Sequence, residues 1–340
     1  MKRAICLLIV GALATPLSAH SVIWVSARGD SGGPHQIHEF DARGVYTTVS
    51  VDQVAGAQSS SWGYRDGAAD RSARIYFGWE NGVARHNADG SGGVQIITGG
   101  IPFVGGTWHG LAFDPTGDGG NGSLWAVNFT SDGLAEVSLS GALLNSYSNL
   151  ALDMYGLAYD DTDGNLWVHL NGIFTGRFGG VIKINITTNP GTIMAGEGWF
   201  TGFWFINHGG GMSGFHDGTG WMAAINQAIP DELGFYDPVG NMAGGPWDLQ
   251  AQTGITGHLG VAVAFVEPCA GALCGDANCD GLFNGGDIDA FFFALGDPTA
   301  WELQFPGCDR LCLVDINHDG RVDGGDIDPF FAALGVGQCP

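Results

Sequence analysis

The sequence predicts a mainly β chain: a five-bladed β-propeller followed by a small α-helical segment of two loop–helix repeats. Three observations predict it. Short apolar runs recur through residues 20–266 at spacings of 46 to 52 residues. One recurring strand type is missing where that stretch begins and stands instead at its end. After it, "GDANCDGLFNGGDIDAFFFALGD" from Gly275 is nearly rewritten as "VDINHDGRVDGGDIDPFFAALG" from Val314.

Residues 1–19 come first. Met1-Lys2-Arg3 is a short basic start, Ile5 to Ala14 is apolar, and Pro16-Leu17-Ser18-Ala19 offers a small-residue cleavage site. This is the layout of a secretory signal peptide. The mature chain is expected to be soluble and secreted, extracellular or at the cell surface. No later stretch is apolar for long enough to span a bilayer as a helix.

Residues 20–266 are rich in glycine and aromatics, with short apolar runs broken by turn residues. One pattern is an apolar–aromatic pair: Ile23-Trp24, Ile75-Tyr76, Leu124-Trp125, Leu166-Trp167 and Trp221-Met222. A second follows each pair and closes in a turn: "IHEFDARG" from Ile37, "VARHNADG" from Val83, "LAEVSLSG" from Leu134, "VIKINITT" from Val181 and "LGFYDPVG" from Leu233. Their spacings are 46, 51, 47 and 52 residues, the length of a four-stranded propeller blade. A third pattern precedes each pair: "WGYRDG" at Trp62, "GLAFDP" at Gly110, "GLAYDD" at Gly156 and "SGFHDG" at Ser213. Its fifth copy, "GVAVAF" at Gly260, stands at the C-terminal end. Pairing that last strand into the first blade closes the ring and hides both edges.

Candidate chemistry in this body is sparse. Asp66, Asp114, Asp160 and Asp217 read as one turn-forming position repeated in each blade. Glu39, Glu80, Glu136, Asp153, Glu197 and Glu232 do not repeat, and Asp153 precedes an expected innermost strand. Some propeller glycosidases gather three such acids at the axis, but nothing in the sequence marks a trio. His109, His208 and His258 are candidates for a cluster near the channel, with ordinary packing the default. No catalytic residue is assigned, and the body reads as a binding or display domain, with carbohydrate the expected ligand class. The alternative is a glycoside hydrolase or polysaccharide lyase.

The formal charge of −23 excludes the basic stripe that nucleic acid requires. Thirteen acidic residues against two basic ones fall between Glu267 and Pro340. Six of the seven cysteines lie there too: Cys269, Cys274, Cys279, Cys308, Cys312 and Cys339. In an exported segment this small, an even set reads as three disulfides, with fifteen possible connectivities.

The repeated segment has metal-ligand spacing. Asp276, Asn278, Asp280, Leu282, Asn284 and Asp287 occupy positions 1, 3, 5, 7, 9 and 12 of a twelve-residue calcium loop, with Gly281 at position 6. Asp315, Asn317, Asp319, Arg321, Asp323 and Asp326 repeat the set with Gly320 at position 6. Ca²⁺ needs six to eight oxygens at one point, and alternate residues of a tight loop converge there. Side chains serve at 1, 3, 5 and 12, the carbonyls of Leu282 and Arg321 at 7, and two Ca²⁺ ions are expected. Each loop leads into apolar residues at helical spacing: Ile288, Phe291, Phe292, Leu295 and then Ile327, Phe330, Phe331, Leu334. No amphipathic helix is expected before either loop.

This loop–helix duplicate, from about Gly275 to Gly335, resembles a type I dockerin module. The resemblance implies two near-symmetric halves around two Ca²⁺ ions, docking onto a cohesin-like or other scaffold or surface protein. Two features depart from the family. Positions 10 and 11, where it often uses Ser-Thr-type residues, are Gly285-Gly286 and Gly324-Gly325, and the six cysteines are unusual for it. The expected organisation is signal peptide 1–19, propeller 20–266, linker 267–274 and calcium-binding module 275–340.

Overall fold

The computed structural model describes residues 21–29, 33–70, 74–129, 133–148, 150, 153–170, 180–199, 209–215, 220–227, 230–265, 273–305, 308, 310–316, 322 and 324–336. The signal-peptide expectation lies outside them. The chain divides into two compact units, Met1–Val266 and Glu267–Pro340.

Unit one holds five four-stranded antiparallel sheets. The first joins β1 (Ser21–Ala27), β2 (Gln36–Phe40) and β3 (Tyr46–Asp52) to the last strand, β20 (His258–Phe265). The second is β4 (Asp66–Ala69), β5 (Arg74–Trp79), β6 (Gly82–Asn87) and β7 (Val94–Thr98). The third is β8 (Gly110–Asp114), β9 (Ser123–Asn128), β10 (Gly133–Ser138) and β11 (Leu143–Tyr147). The fourth is β12 (Met154–Asp160), β13 (Asn165–Leu170), β14 (Gly180–Asn185) and β15 (Thr192–Trp199). The fifth is β16 (Gly209–Gly214), β17 (Met222–Asn226), β18 (Glu232–Tyr236) and β19 (Met242–Asp248). The strands β4, β8, β12, β16 and β20 touch in turn around a ring, so they are the inner strands of a five-bladed propeller. β20 pairs with β1, Ser21 opposite Phe265 and Ala27 opposite His258, which closes the ring as the displaced pattern predicts.

The recurring turn pattern has a local cause. Gly44, Gly90, Gly141 and Gly240 have φ of 73°, 76°, 87° and 85° in the hairpins between third and fourth strands. That left-handed conformation is open to glycine without a Cβ clash. Asp41 and Asp237 accept the amides just past their glycines, from Val45 at 3.0 Å and Asn241 at 2.7 Å.

Five apolar clusters fill the wedges between neighbouring sheets rather than one central core. Trp24 also crosses one wedge, donating Nε1 to the carbonyl of Ala88 at 2.7 Å. The axis itself is held by a carboxylate. Fully buried Asp66 opens β4 and accepts the amides of Leu111 and Leu157 on Oδ2, at 3.0 and 3.1 Å, and of Met212 on Oδ1 at 3.0 Å. Gly67 and Val261 also donate to it, so one amide comes from each inner strand. Burial raises the carboxyl well above the usual carboxylate range, and the amides pull against that rise; N–H donors on both oxygens favour the ionised form. The matching positions on the other inner strands are Gly110, Gly156, Gly211 and Gly260. A Cβ on Gly211 would run into the Asp66 carboxylate.

This corrects the expectation that Asp66 shares a position with Asp114 and Asp160. Those two end their strands, whereas Asp66 begins its own. The counterpart of Asp114 and Asp160 is Asp70, which accepts from Tyr76 Oη at 2.8 Å as they accept from Trp125 and Trp167 Nε1 at 3.3 and 2.9 Å. The "DG" of "WGYRDG" imitates the turn signal four residues too early. Asp217 lies outside the described residues.

Unit two is made of short helices: Ile288–Gly296, Pro298–Gln304, Arg310–Val314 and Ile327–Val336. A helix follows each loop as expected. The absence of a helix before the loops is corrected for the second copy, because Arg310–Val314 runs straight into Asp315. Phe291 and Phe330 are fully buried and stack with centroids 3.9 Å apart, joining the two repeat helices. Trp301 donates Nε1 to the carbonyl of Ala277 at 3.1 Å, fixing the first loop to the Pro298–Gln304 helix.

Candidate functional site

The first loop is described throughout. Asp276 accepts the amides of Asp280 on Oδ1 at 3.0 Å and Gly281 on Oδ2 at 2.8 Å. Asn278 Oδ1 accepts the same Asp280 amide at 2.9 Å, and Asp280 Oδ1 accepts from Leu282 at 2.9 Å. Gly281 has φ 83°, so position 6 makes the left-handed turn that glycine permits. Asn284 caps the helical turn that follows, accepting from Gly286 at 2.8 Å. Asp287 closes the loop on itself, accepting from Asn278 on Oδ1 at 3.2 Å and from Asn284 on Oδ2 at 2.8 Å.

Asp287 is fully buried at the start of the Ile288–Gly296 helix. Burial raises its carboxyl first, and the charges of Asp276 and Asp280 raise it further. The chain thus sets three acids near one another and buries two of them, with Asp276 only 4% exposed. Among the described residues, no three His, Cys, Asp or Glu side chains close on one point as around a bound metal. The carboxylates hold loop amides instead. Each still has lone pairs beyond those bonds, and an all-oxygen set of Asp, Asn and backbone carbonyl suits a hard cation.

The second loop is described in part. Asp315 and Asp326 are buried, and Asp326 accepts the amide of Ile316 on Oδ1 at 2.8 Å. Both position-12 aspartates therefore grip the backbone near the start of their own loops. Asn317, Asp319, Arg321 and Asp323 lie outside the described residues. Cys279, at position 4 of the first loop, is disulfide-bonded to Cys308, and Cys274 is also disulfide-bonded. Cys269 and Cys339 lie outside the described residues.

The helix aromatics divide by position. Phe291 and Phe330 are buried together, while their neighbours Phe292 and Phe331 are 45% and 44% exposed with centroids 6.2 Å apart. The spacing in the sequence marks both pairs as one apolar ridge, and only the packing separates them.

The propeller's candidate residues do not form one site. Glu39 accepts from Thr47 Oγ1 at 2.8 Å, Glu136 from Ser123 Oγ at 2.6 Å and Glu232 from Asn226 Nδ2 at 3.4 Å. These lie on third strands of three different blades. His258 turns into a seam between blades, with Nδ1 3.3 Å from Asp231 and Nε2 3.2 Å from Thr253 Oγ1. His109 stands just before a different inner strand, β8, edge-on to Phe129. Asp153 directly precedes inner strand β12, where it was expected. His208 lies outside the described residues, and Glu197 lies in β15. No helix among the described residues is long and apolar enough to cross a membrane.

No family model and no curated protein matches this chain. Among solved structures it is similar to a protein of unknown function from Bacteroides caccae, at 12% identity and a TM-score of 0.38, covering 72% of this chain and 98% of that one. It is also similar to a streptogramin B lyase at 15% identity and a TM-score of 0.33, covering 62% of this chain and 61% of that one. The five-bladed architecture stands on the chain's own strand order, on the pairing of β20 with β1, and on five inner strands joined at Asp66.

Proposed function

We propose that the protein is a secreted β-propeller that binds or displays a ligand and is held in place by a calcium-stabilised, dockerin-like C-terminal module. One observation carries this reading. A twelve-residue loop with acids at 1, 5 and 12 is written twice, 39 residues apart, each ending in a buried aspartate at a helix start. Asp276, Asn278, Asp280, Asn284, Asp287 and the Leu282 carbonyl would hold one Ca²⁺. Asp315, Asn317, Asp319, Asp323, Asp326 and the Arg321 carbonyl would hold the other. The ion supplies positive charge where buried acids repel one another, so binding and module folding are coupled.

The stacked Phe291 and Phe330 support a module of two paired halves. The exposed Phe292 and Phe331 support an apolar contact for a partner protein of cohesin or scaffold type. The test is capture of the producer's own secreted proteins by the mature chain, with Ca²⁺ and with EDTA. Calcium-dependent capture, together with a calcium-dependent rise in the module's melting temperature, is expected. A melting temperature and a capture pattern both indifferent to EDTA would overturn the reading.

A further inference from the structure

The residues one place before the axial position on three successive inner strands are Arg65, His109 and Tyr155, next to Asp66, Gly110 and Gly156. Each carries a buried polar atom with no hydrogen-bond partner: Arg65 Nε, His109 Nδ1 and Tyr155 Oη. Glu80, whose Oε1 takes Arg65 Nη2 at 3.1 Å, adds a fourth in Oε2. His109 and Tyr155 are 7% and 4% exposed, with ring centroids 5.4 Å apart. Buried polar atoms are nearly always paired, since an orphan costs its full desolvation. Four at one end of one axis are the complement of something that is polar itself.

Their chemistry says what. Arg65 Nε is an obligate donor and the Tyr155 hydroxyl is able to donate. Burial, with the Arg65 charge beside it, pulls His109 down to about 3, so its ring is neutral; hydrogen bonds to the Asn128 side chain and the Thr107 backbone engage its N–H, which leaves Nδ1 as an acceptor. Glu80 Oε2 is an acceptor. Charge agrees: Arg28 and Arg65 both stand over the Trp62 ring, 4.5 and 5.0 Å from its centroid, on a chain of net charge −23. We infer that this mouth of the propeller binds a small hydroxylated carboxylate such as an acidic sugar, with its carboxylate on Arg65 and Tyr155 and hydroxyls donated to His109 Nδ1 and Glu80. The inference rests on the binding role given to the propeller above, and it is independent of calcium.

The test is calorimetry on the whole mature protein with D-glucuronate and D-galacturonate, against D-glucose and inorganic phosphate, in Ca²⁺ and again in EDTA. One of the acids should bind at least tenfold more tightly than glucose or phosphate, equally in both buffers. Tyr155→Phe should weaken that binding about tenfold, the loss of one hydrogen bond to a charged group. It should do so without lowering the melting temperature, because the hydroxyl has no partner to lose. Arg65→Lys, which removes Nε, should weaken it as much or more. Failure of both acids to bind, equal binding of glucose or phosphate, or an unchanged Tyr155→Phe variant would each overturn the inference. So would binding seen only with Ca²⁺, which would place the site in the C-terminal module. A calcium-responsive module beside a silent mouth would sink this inference alone.

Discussion

Met212 donates its backbone amide to Asp66 at 3.0 Å, joining residues 146 apart in the chain. The bond spans the propeller axis, where a ring of wedges leaves no room for a core of its own. Glycine on four of the inner strands lets the backbones approach, and the one aspartate supplies acceptors for all five. Leu111 and Leu157 share Oδ2 and Met212 takes Oδ1, so both oxygens are committed. The cores of the five wedges act pairwise between blades, whereas this carboxylate touches every blade at once.

Asp66→Asn should therefore destabilise the propeller although it keeps shape and size. An amide offers one acceptor oxygen and turns an NH₂ toward amides that need an acceptor, so at least one buried N–H is orphaned. That costs roughly 1–3 kcal/mol. Asp66→Ala orphans all of them and should cost more, about 3 kcal/mol or above. Urea unfolding followed by tryptophan fluorescence checks both, and an Asn variant as stable as the parent would remove the axial carboxylate from the account.

Acid should loosen the propeller before it protonates most carboxylates. His38 is held down to about 4 by burial and then by His258, and His169 is held down to about 4 by burial. A base whose folded pKa lies below its unfolded value of 6.5 takes up protons on unfolding. Its stabilising contribution is whole above 6.5 and is lost as pH falls from there to about 4. By pH 5 each should have cost on the order of 2 kcal/mol. Urea midpoints at pH 7.5, 6 and 5 should fall in that order, and His169→Gln should flatten the fall. A midpoint level across that window would contradict the assignment of buried neutral imidazoles.

Much of this architecture is legible in the chain because it repeats. A turn closed by Gly44, Gly90, Gly141 and Gly240 leaves a mark at each period, and the displaced copy at Gly260 marks the strand that closes the ring. Asp66 is misread for the same reason: "DG" is a turn signal wherever it stands, and only register shows it at the head of a strand rather than the foot. The mouth residues leave almost no mark. Arg65, His109 and Tyr155 share a position but not a residue type, so they become a set only once the inner strands are aligned around Asp66. The repeated loops are the opposite case, because their spacing of acids and glycine is local and is visible without tertiary contacts. The short helix before the second loop escapes notice because Arg310–Val314 is too brief to show a period.

Calcium should fill the two loops unequally. The second offers four carboxylates, Asp315, Asp319, Asp323 and Asp326, against Asp276, Asp280 and Asp287 in the first. Charge count tunes affinity in such loops, so the second should bind more tightly. Burial and then its acidic neighbours raise the Asp287 carboxyl, so protons compete for the first loop as pH falls into the raised range. Titration calorimetry should resolve two steps, with Asp287→Asn weakening the weaker and Asp326→Asn the tighter. Two equal sites, or a tighter first loop, would count against the reasoning from charge.

Neighbouring phenylalanines should separate folding from docking. Phe291 and Phe330 stack face to face inside the module, so truncating either to alanine should cost about 3–5 kcal/mol and lower its melting temperature. Phe292 and Phe331 are nearly half exposed, so Phe292→Ala with Phe331→Ala should leave that melting temperature almost unchanged. If they form the partner's apolar contact, the same pair of changes should abolish calcium-dependent capture, since exposed aromatics at an interface commonly contribute 2 kcal/mol or more each, as an order of magnitude. Melting curves and capture on the same three variants decide it. Capture undiminished in the double variant would move the docking surface off this face of the helices, while loss of capture with an intact melt would fix it there.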